Sequence, residues 1–329
     1  MRDNDKVAGV SVEDIRRARS ALDGLVTRTP LIPSQSLSQR TGSEVSLKLE
    51  TLQATGAFKL RGATNRLVNL SSAARRRGVA CCSTGNHGRG LAYAARQLGV
   101  SATICMSKLV PTNKVAAIEA LGATVVITGD SQDEAQLEVE RLVEEKGVID
   151  VSPFDDPHII AGQGTIGLEL LEDLPDADTV LVPLSGGGLI SGIALALKAA
   201  SAHIRVIGVS MERGAAMYES QRAGRPVAVT EEATLADCLG GGIGIENRHT
   251  FEMVRALVDD FVLLTEDEIA AGMRHALLGE RLVVEGGGAV GMAAVLADKV
   301  QTLGQKVAIV VSGNNVDMQK LLRICAEEK

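Results

Sequence analysis

Lys59 is flanked by two large apolar residues, Phe58 and Leu60, in the stretch TGAFKLRGAT (residues 55–64). A lysine usually keeps its ammonium group in water even where its stem is buried, so a surface position is the default expectation. If the amine lies inside instead, burial lowers its pKa, and a neutral amine is a nucleophile toward aldehydes. Arg61, two residues later, is equally suited to a structural salt bridge. The surroundings of Lys59 must decide between these interpretations.

A glycine-rich turn, SGGGLISG (residues 185–192), follows the apolar run VLVPL and precedes a helix pattern. Consecutive glycines let backbone N–H groups converge on an anion, and the helix dipole adds to the attraction. The predicted phosphate loop consists of Ser185, Gly186, Gly187, Gly188 and Leu189. It is neither a Walker loop nor a dinucleotide fingerprint, because no GK[ST] follows and Ser191 stands where a glycine is required. A phosphate site together with a buried amine indicates that Lys59 binds pyridoxal phosphate as a Schiff base.

A second polar turn, STGNHG (residues 83–88), also lies between a strand pattern and a helix pattern. One polar residue is enough to cap a helix. The turn contains four, which are Ser83, Thr84, Asn86 and His87. This excess predicts that the helix N-terminus captures a carboxylate or a ring hydroxyl. A single histidine near a cap is more often structural, so we do not assign His87 as a catalyst.

The stretch VVEGGGAVG matches the dinucleotide pattern G-x-G-x-x-G at Gly286, Gly288 and Gly291. Taken alone, it suggests an NAD-dependent dehydrogenase. That fold needs an acidic residue at the end of the next strand, but the strand KVAIVV is followed by Ser312. Close helix packing and a wall for a flat ligand explain these glycines better. The dehydrogenase remains the alternative from another class of enzyme, beside a non-catalytic ligand-binding protein.

Composition excludes several classes of function. The chain has 329 residues and a net charge of −7, with no long basic cluster, so we expect no nucleic-acid partner. No charge-free apolar run reaches ~18 residues and the start lacks a signal pattern, so we expect no membrane partner and a cytoplasmic location. Five cysteines form no CxxC pair, which argues against disulfides and a zinc site.

Short apolar runs alternate with amphipathic runs along most of the chain. Strand patterns cover 79–83, 102–106, 124–128, 179–184, 205–209 and 306–311, and helix patterns cover 88–98, 112–121, 132–145, 188–200, 266–278 and 288–303. Thr265 with Glu268, and Ser11 with Asp14, predict capping boxes. The alternation predicts an α/β protein with doubly wound parallel sheets. Ligands bind such sheets beyond the carboxyl ends of the strands, where both polar turns and a third, SGNNVD (residues 312–317), are found.

Seven motifs in this order resemble the serine/threonine dehydratase and serine racemase family. They are AFKLRGA, STGNHG, PTNKVAAIEALGATVV, AGQGTIGLEL, SGGGLISG, VVEGGGA and SGNNVD. The resemblance runs from about residue 28 to residue 317. It implies the two-domain pyridoxal-phosphate fold type II of tryptophan synthase β. Residues 1–68 plus 155–329 would form the large cofactor-binding domain, and residues 69–154 the small mobile domain. We expect a homodimer, the commonest assembly.

The resemblance also implies the roles of individual residues. Lys59 would form the Schiff base and then remove the Cα proton of the substrate. The other implied cofactor contacts are Phe58 beside the ring, Asn86 on the ring hydroxyl, the loop from Ser185 to Leu189 on the phosphate, Glu285 near the ring and Ser312 on the pyridine nitrogen. The implied substrate contacts are Ser83, Thr84, Asn86 and His87 on the carboxylate. The implied reaction is loss of water from a β-hydroxy α-amino acid, which gives a 2-oxo acid and ammonia.

Departures from the family pattern bear on the reaction. Thr84 stands where racemases of the group have a catalytic serine, so a catalytic role for Thr84 and racemisation are both in question. Ala57 replaces a serine, and Ser185 replaces the first glycine of the phosphate loop. Ser210 and Ala216 stand at the family's divalent-cation site, so we predict no metal, although Glu212 could substitute.

Three enzymes of the same fold therefore remain open. The leading prediction is a dehydratase that acts on threonine, serine or a related compound. The motifs GAFKLRGAT and STGNHGRG resemble those of the hydroxyectoine-utilisation branch of the dehydratases. An amino-acid racemase and a β-replacement synthase are the alternatives.

Overall fold

The computed structural model describes residues 6–83, 85–108, 110 and 112–326, without the side chains of 113–114 and 132–133. The strands are β1 (Lys6–Val7), β2 (Val10–Ser11), β3 (Leu31–Pro33), β4 (Glu44–Leu49), β5 (Val79–Cys82), β6 (Ala102–Met106), β7 (Thr124–Ile127), β8 (Ile149–Asp150), β9 (Thr179–Pro183), β10 (Arg205–Met211), β11 (Asp260–Leu264) and β12 (Lys306–Val311). The α-helices are α1 (Val12–Leu22), α2 (Gln35–Thr41), α3 (Lys59–Val68), α4 (Ser72–Arg77), α5 (Asn86–Leu98), α6 (Thr112–Glu119), α7 (Gln132–Lys146), α8 (Pro157–Asp173), α9 (Gly188–Ala200), α10 (Ala216–Ala223), α11 (Thr250–Leu257), α12 (Glu266–Leu278), α13 (Gly286–Leu296) and α14 (Met318–Ala326). Short 3₁₀ helices at Glu50–Leu52 and Asp237–Leu239 lie in the connections.

Two parallel-rich sheets organise the chain. The larger has six strands in the order β11-β10-β9-β12-β4-β3, and only β3 runs antiparallel to its neighbour. The smaller has four parallel strands in the order β7-β6-β5-β8. The predicted α/β class with doubly wound parallel sheets is confirmed.

The central strands of the large sheet, β9, β10 and β12, are buried because helices cover both of its faces. On one face, β12 side chains pack with α12 and α13, and on the other they pack with α9. The near-continuous apolar runs of β9 and β12 are what such double coverage requires. No helix in the part of the chain that the structure describes is long and apolar enough to cross a membrane.

The strongest periodic patterns predicted their elements well. The strands at 102–106 and 306–311 and the helices at 188–200 and 266–278 have the predicted bounds. Both capping boxes form, since Ser11 and Thr265 each accept from a backbone N–H while Asp14 and Glu268 accept in return. The four strands of the smaller sheet fall between residues 79 and 150. The exact domain boundaries and the mobility of the small domain stay predictions.

Candidate active site

Lys59 is the first residue of α3 and lies where that helix meets the loop after β12. The preceding residue, Phe58, donates its backbone N–H to the carbonyl of Ser312 over 3.1 Å, and Ala57 forms a β-bridge with Gly313. The Nζ of Lys59 donates to the carbonyl of Pro153 over 2.5 Å and lies 5.3 Å from the centre of the Phe58 ring. Burial lowers the pKa of Lys59 to about 8. The amine therefore points toward protein groups and loses its proton far more readily than a surface lysine.

The glycine loop lies beside Lys59 because one short segment contacts both. Pro153 accepts from Lys59, and the next residue, Phe154, packs on the loop. A Cβ on Gly186 would lie 2.3 Å from the Phe154 ring, and one on Gly188 would lie 2.8 Å from the Phe154 carbonyl. Gly187 has a φ of +90° immediately before α9, a left-handed conformation that side chains disfavour. The loop therefore needs glycine for packing and for backbone conformation.

Arg61 points away from the site into a buried ionic network. Its guanidinium group donates to Glu50 over 2.8 Å and to Glu169 over 2.6 Å, and Lys48 also pairs with Glu169, over 2.7 Å. Burial alone would raise the pKa of Glu50, but the charge of Arg61, the hydrogen bonds from Arg61 and Thr29 and the charge of Lys48 together hold that pKa below its usual value. The structural interpretation of Arg61 is confirmed.

Asn86 and Glu285 come together between the two sheets. Asn86 is the first residue of α5, and its Nδ2 donates to Oε1 of Glu285 over 2.6 Å. Glu285 precedes α13 and donates its backbone N–H to the carbonyl of Gly313. The Cys238 thiol hydrogen-bonds the same carboxylate, and its pKa is raised well above the usual range by burial and then by the Glu285 charge.

The turn before α5 is held by its own side chains. The Oγ of Ser83 accepts from the backbone N–H of Gly88 over 3.1 Å. His87 is buried, and its Nε2 donates to the carbonyl of Val151 over 2.8 Å, whereas its Nδ1 has no hydrogen-bond partner in the described structure. Burial, and then the Lys59 charge, lower the pKa of His87 to about 3. This histidine is neutral at physiological pH and is poorly suited to proton transfer there.

The glycines at 286–291 serve close packing. A Cβ on Gly286 would lie 2.1 Å from the carbonyl of Leu235, and one on Gly287 would lie 2.3 Å from the sulfur of Cys238. A Cβ on Gly288 would lie 2.6 Å from the carbonyl of Gly313, and one on Gly291 would meet Ile309 of β12 at 2.5 Å. Each glycine of the apparent fingerprint thus faces protein, which is the packing explanation that the sequence favoured over a dinucleotide.

Two predictions need separate mention. Thr84 lies outside the described residues, so its role stays a prediction. Among the residues that the structure does describe, no group of three or more His, Cys, Asp or Glu side chains could hold a metal ion. Ser210, at the family's cation position, is buried with its hydroxyl toward the Met211 sulfur.

Sequence reasoning missed several residues that the structure brings to the site. They are Arg89, Pro153, Phe154, Cys238 and Asn315. Pro153 and Phe154 lie in a turn to which we assigned no role from the sequence, and Asn315 lies in SGNNVD, where only Ser312 received a role. An isolated cysteine such as Cys238 gave no periodic or spacing signal.

These residues fit a pyridoxal phosphate group. A cradle of three glycines forms the N-terminus of α9, where a phosphate is favoured. The amine that would bind the aldehyde has a lowered pKa and is joined to that cradle through residues 153–154. The unpartnered Nδ1 of His87 is one further polar atom that a ligand could satisfy.

Comparisons with known proteins agree with this geometry. The profile of the family described as "Pyridoxal-phosphate dependent enzyme" matches residues 22–313. A Sinorhizobium fredii protein provisionally named a threonine dehydratase is 58% identical over 95% of each chain. The catabolic L-threonine dehydratase of Escherichia coli is 42% identical over 96% of each chain. The structure of maize serine racemase superposes with a TM-score of 0.91 at 34% identity, covering 95% of this chain and 96% of that one.

Proposed function

The chain belongs to the pyridoxal-phosphate-dependent enzymes, and we propose that it is an ammonia-lyase that converts L-threonine to 2-oxobutanoate and ammonia. The observation that carries the proposal is the lowered pKa of Lys59 beside the glycine loop, in a chain 58% identical to one relative and 42% identical to a catabolic L-threonine dehydratase. The dehydrogenase alternative is set aside, because the family is different and the glycines at 286–291 face protein.

The cofactor would be held by residues from the loops and helices that follow strands of both sheets. The backbone N–H groups of the loop from Ser185 to Leu189 would bind the phosphate, and Lys59 would bind the aldehyde carbon. Phe58 would pack beside the ring, and Asn86 would donate to the ring hydroxyl. Ser312, which is buried directly after β12, would face the pyridine nitrogen. When bound, the cofactor draws electrons from the Cα of the attached amino acid and so weakens its C–H bond.

The substrate carboxylate would bind at the start of α5. A helix that begins at Asn86 leaves the first backbone N–H groups without intrahelical acceptors, so the N–H groups of Asn86 and His87 are available to an anion. Ser83 supports this turn through its bond to Gly88. Thr84 belongs to the same predicted contact set and remains a candidate acid-base group.

Lys59 would move the proton. With cofactor and substrate in the site, the Nζ of Lys59 would serve as the base, and a pKa of about 8 leaves about one amine in ten neutral at pH 7. It would remove the Cα proton, after which the β-hydroxyl leaves as water. The released enamine tautomerises and is hydrolysed to the 2-oxo acid and ammonia, so the water lost in elimination is regained.

The decisive experiment is a substrate panel on the purified protein. L-threonine, L-serine, their D-enantiomers and hydroxyectoine-derived amino acids are tested for release of 2-oxo acid. We expect L-threonine to give the highest kcat/KM and the Lys59→Ala variant to lose both activity and cofactor colour. Chiral analysis of recovered substrate separates a lyase from a racemase. A protein that binds the cofactor but only inverts serine would overturn the proposal.

Three further assignments are part of the proposal. A cytoplasmic location is supported by the five cysteines, none of which forms a disulfide in the part of the chain that the structure describes. A homodimer is expected from general frequency alone and is tested by light scattering. Hydroxyectoine use stays a prediction based on local motifs, and the substrate panel tests it.

A further inference from the structure

Asn315 connects two elements that carry the predicted ring contacts. Its Nδ2 donates to Oδ1 of Asn86 over 2.6 Å and to the carbonyl of Thr55 over 2.9 Å. Its Oδ1 accepts from Nη1 of Arg89 over 2.5 Å. Asn86 and Arg89 lie on α5, which follows strand β5 of the small sheet. Asn315 lies after strand β12 of the large sheet. A single carboxamide therefore joins the two halves of the site.

The orientation of this carboxamide is fixed by groups that cannot exchange roles. Arg89 can only donate, so it must meet the oxygen of Asn315. The Thr55 carbonyl can only accept, so it must meet the nitrogen of Asn315. These two constraints agree with each other and turn the N–H group of Asn315 toward Asn86.

The same logic fixes Asn86. Its oxygen accepts from Asn315, and its nitrogen donates to the Glu285 carboxylate, which is an acceptor when ionised. A primary amide has two N–H groups, and the bond to Glu285 uses one of them. The amide of Asn86 is thus set with its donor side toward Glu285, the side on which the ring is predicted.

We propose that Asn315, oriented by Arg89, is a positioning residue that makes Asn86 present an N–H donor to the hydroxyl oxygen of the cofactor ring. This inference rests on the proposed function, because it requires pyridoxal phosphate in the site. An N–H donor stabilises that oxygen as an anion, whereas a flipped amide would turn its carbonyl oxygen toward it and repel it. Asn315 touches neither cofactor nor substrate and acts only through Asn86.

The test compares two adjacent asparagines in the same loop. Asn315→Asp replaces the donor with an acceptor of equal size. It places an oxygen against the side-chain oxygen of Asn86 and the backbone carbonyl oxygen of Thr55. The matched control is Asn314→Asp, since Asn314 donates to the Thr51 carbonyl over 3.2 Å instead of Asn86. Cofactor affinity is measured by titrating cofactor-free protein with pyridoxal phosphate, and the absorption band of the bound cofactor is followed as pH is varied.

We expect Asn315→Asp to weaken cofactor affinity by about tenfold to a hundredfold, the range for a lost hydrogen bond to a charged group, and to raise the pH at which the absorption band changes. Asn314→Asp should change affinity by less than about threefold and leave the band unmoved. If both variants behave alike, or if Asn315→Asp keeps the wild-type band and affinity, the inference is wrong.

A second pair covers the case in which Asn315→Asp fails to fold. Arg89→Met removes the group that orients Asn315, and Arg89→Lys retains a donor at the same position. We expect the methionine variant to shift the band and the lysine variant to restore it in part. Equal spectra in both variants contradict the inference. Wild-type protein that binds no cofactor at all would instead refute the proposed function, so the two failures are distinguishable.

Discussion

The amine of Lys59 should combine with pyridoxal phosphate much faster near neutral pH than an ordinary lysine does. Only the neutral amine attacks an aldehyde. Burial lowers the pKa of Lys59 from 10.5 to about 8, because the charged ammonium loses water that the protein does not fully replace. At pH 7 about one amine in ten is then neutral, whereas about one in 3,000 is neutral at the ordinary pKa. The neutral, reactive fraction of Lys59 is therefore about 300-fold larger than that of an ordinary lysine.

The assay is stopped-flow absorbance of cofactor-free protein mixed with pyridoxal phosphate between pH 6 and pH 10. A small lysine derivative with a blocked α-amine serves as the reference, since it undergoes the same reaction and cancels the titration of the cofactor itself. The reference rate should rise about tenfold per pH unit across the range. The protein rate should rise in the same way only to about pH 8 and then level off.

The control is Lys59→Arg, which keeps a positive charge but has no amine that can lose its proton in this range. It should show no fast phase at any pH. The reasoning is refuted if the wild-type rate stays parallel to the reference through pH 10, because Lys59 would then have the pKa of a solvated lysine.

Two further predictions concern the packing around Lys59. Replacing Arg61 by methionine leaves the buried Glu50 carboxylate without its ion-pair partner and Glu169 with only Lys48, and should reduce the free energy of unfolding by about 3–5 kcal/mol in urea. The matched control, Arg28→Met, breaks half-exposed ion pairs and should cost at most about 1 kcal/mol; equal losses in the two variants would contradict the assignment of a buried network. Gly186→Ala places a methyl group against the Phe154 ring and should weaken cofactor affinity at least about tenfold in the same titration. Gly224→Ala strains a left-handed glycine with no neighbour within 4 Å, so it should lower stability by about 1 kcal/mol and leave the affinity unchanged.

Sequence patterns that span only a few consecutive residues predicted those strands and helices whose bounds are set by the same few residues. The strand at 306–311 and the helix at 266–278 were found because an apolar run and a capping box are readable over a few residues. The helix α3 was not predicted, although Lys59 begins it. Its start is set by pairing of residue 57 with residue 313, a contact between distant parts of the chain.

The same distinction separates the site residues that sequence could suggest from those it missed. Ser185 and Asn86 lie in turns with an unusual local composition, so they were visible without a structure. Phe154 and Cys238 are near the site only because their segments pack on glycines at 186 and 287. No spacing within the chain encodes such a contact, and each partner alone is an ordinary apolar residue or an isolated thiol.

A single helix–helix contact positions the two groups that we expect on adjacent substituents of the cofactor ring. Lys59 begins α3 and would bind the aldehyde carbon, while Asn86 begins α5 and would donate to the neighbouring hydroxyl oxygen. The two helices pack closely at Gly90, where a Cβ would lie 3.2 Å from the carbonyl carbon of Lys59 and from the backbone nitrogen of Leu60. Because α5 also carries the turn predicted to bind the substrate carboxylate, a shift of that helix would displace the carboxylate and the ring hydroxyl contact together. The close packing at Gly90 therefore couples substrate position to the environment of the amine that moves the proton.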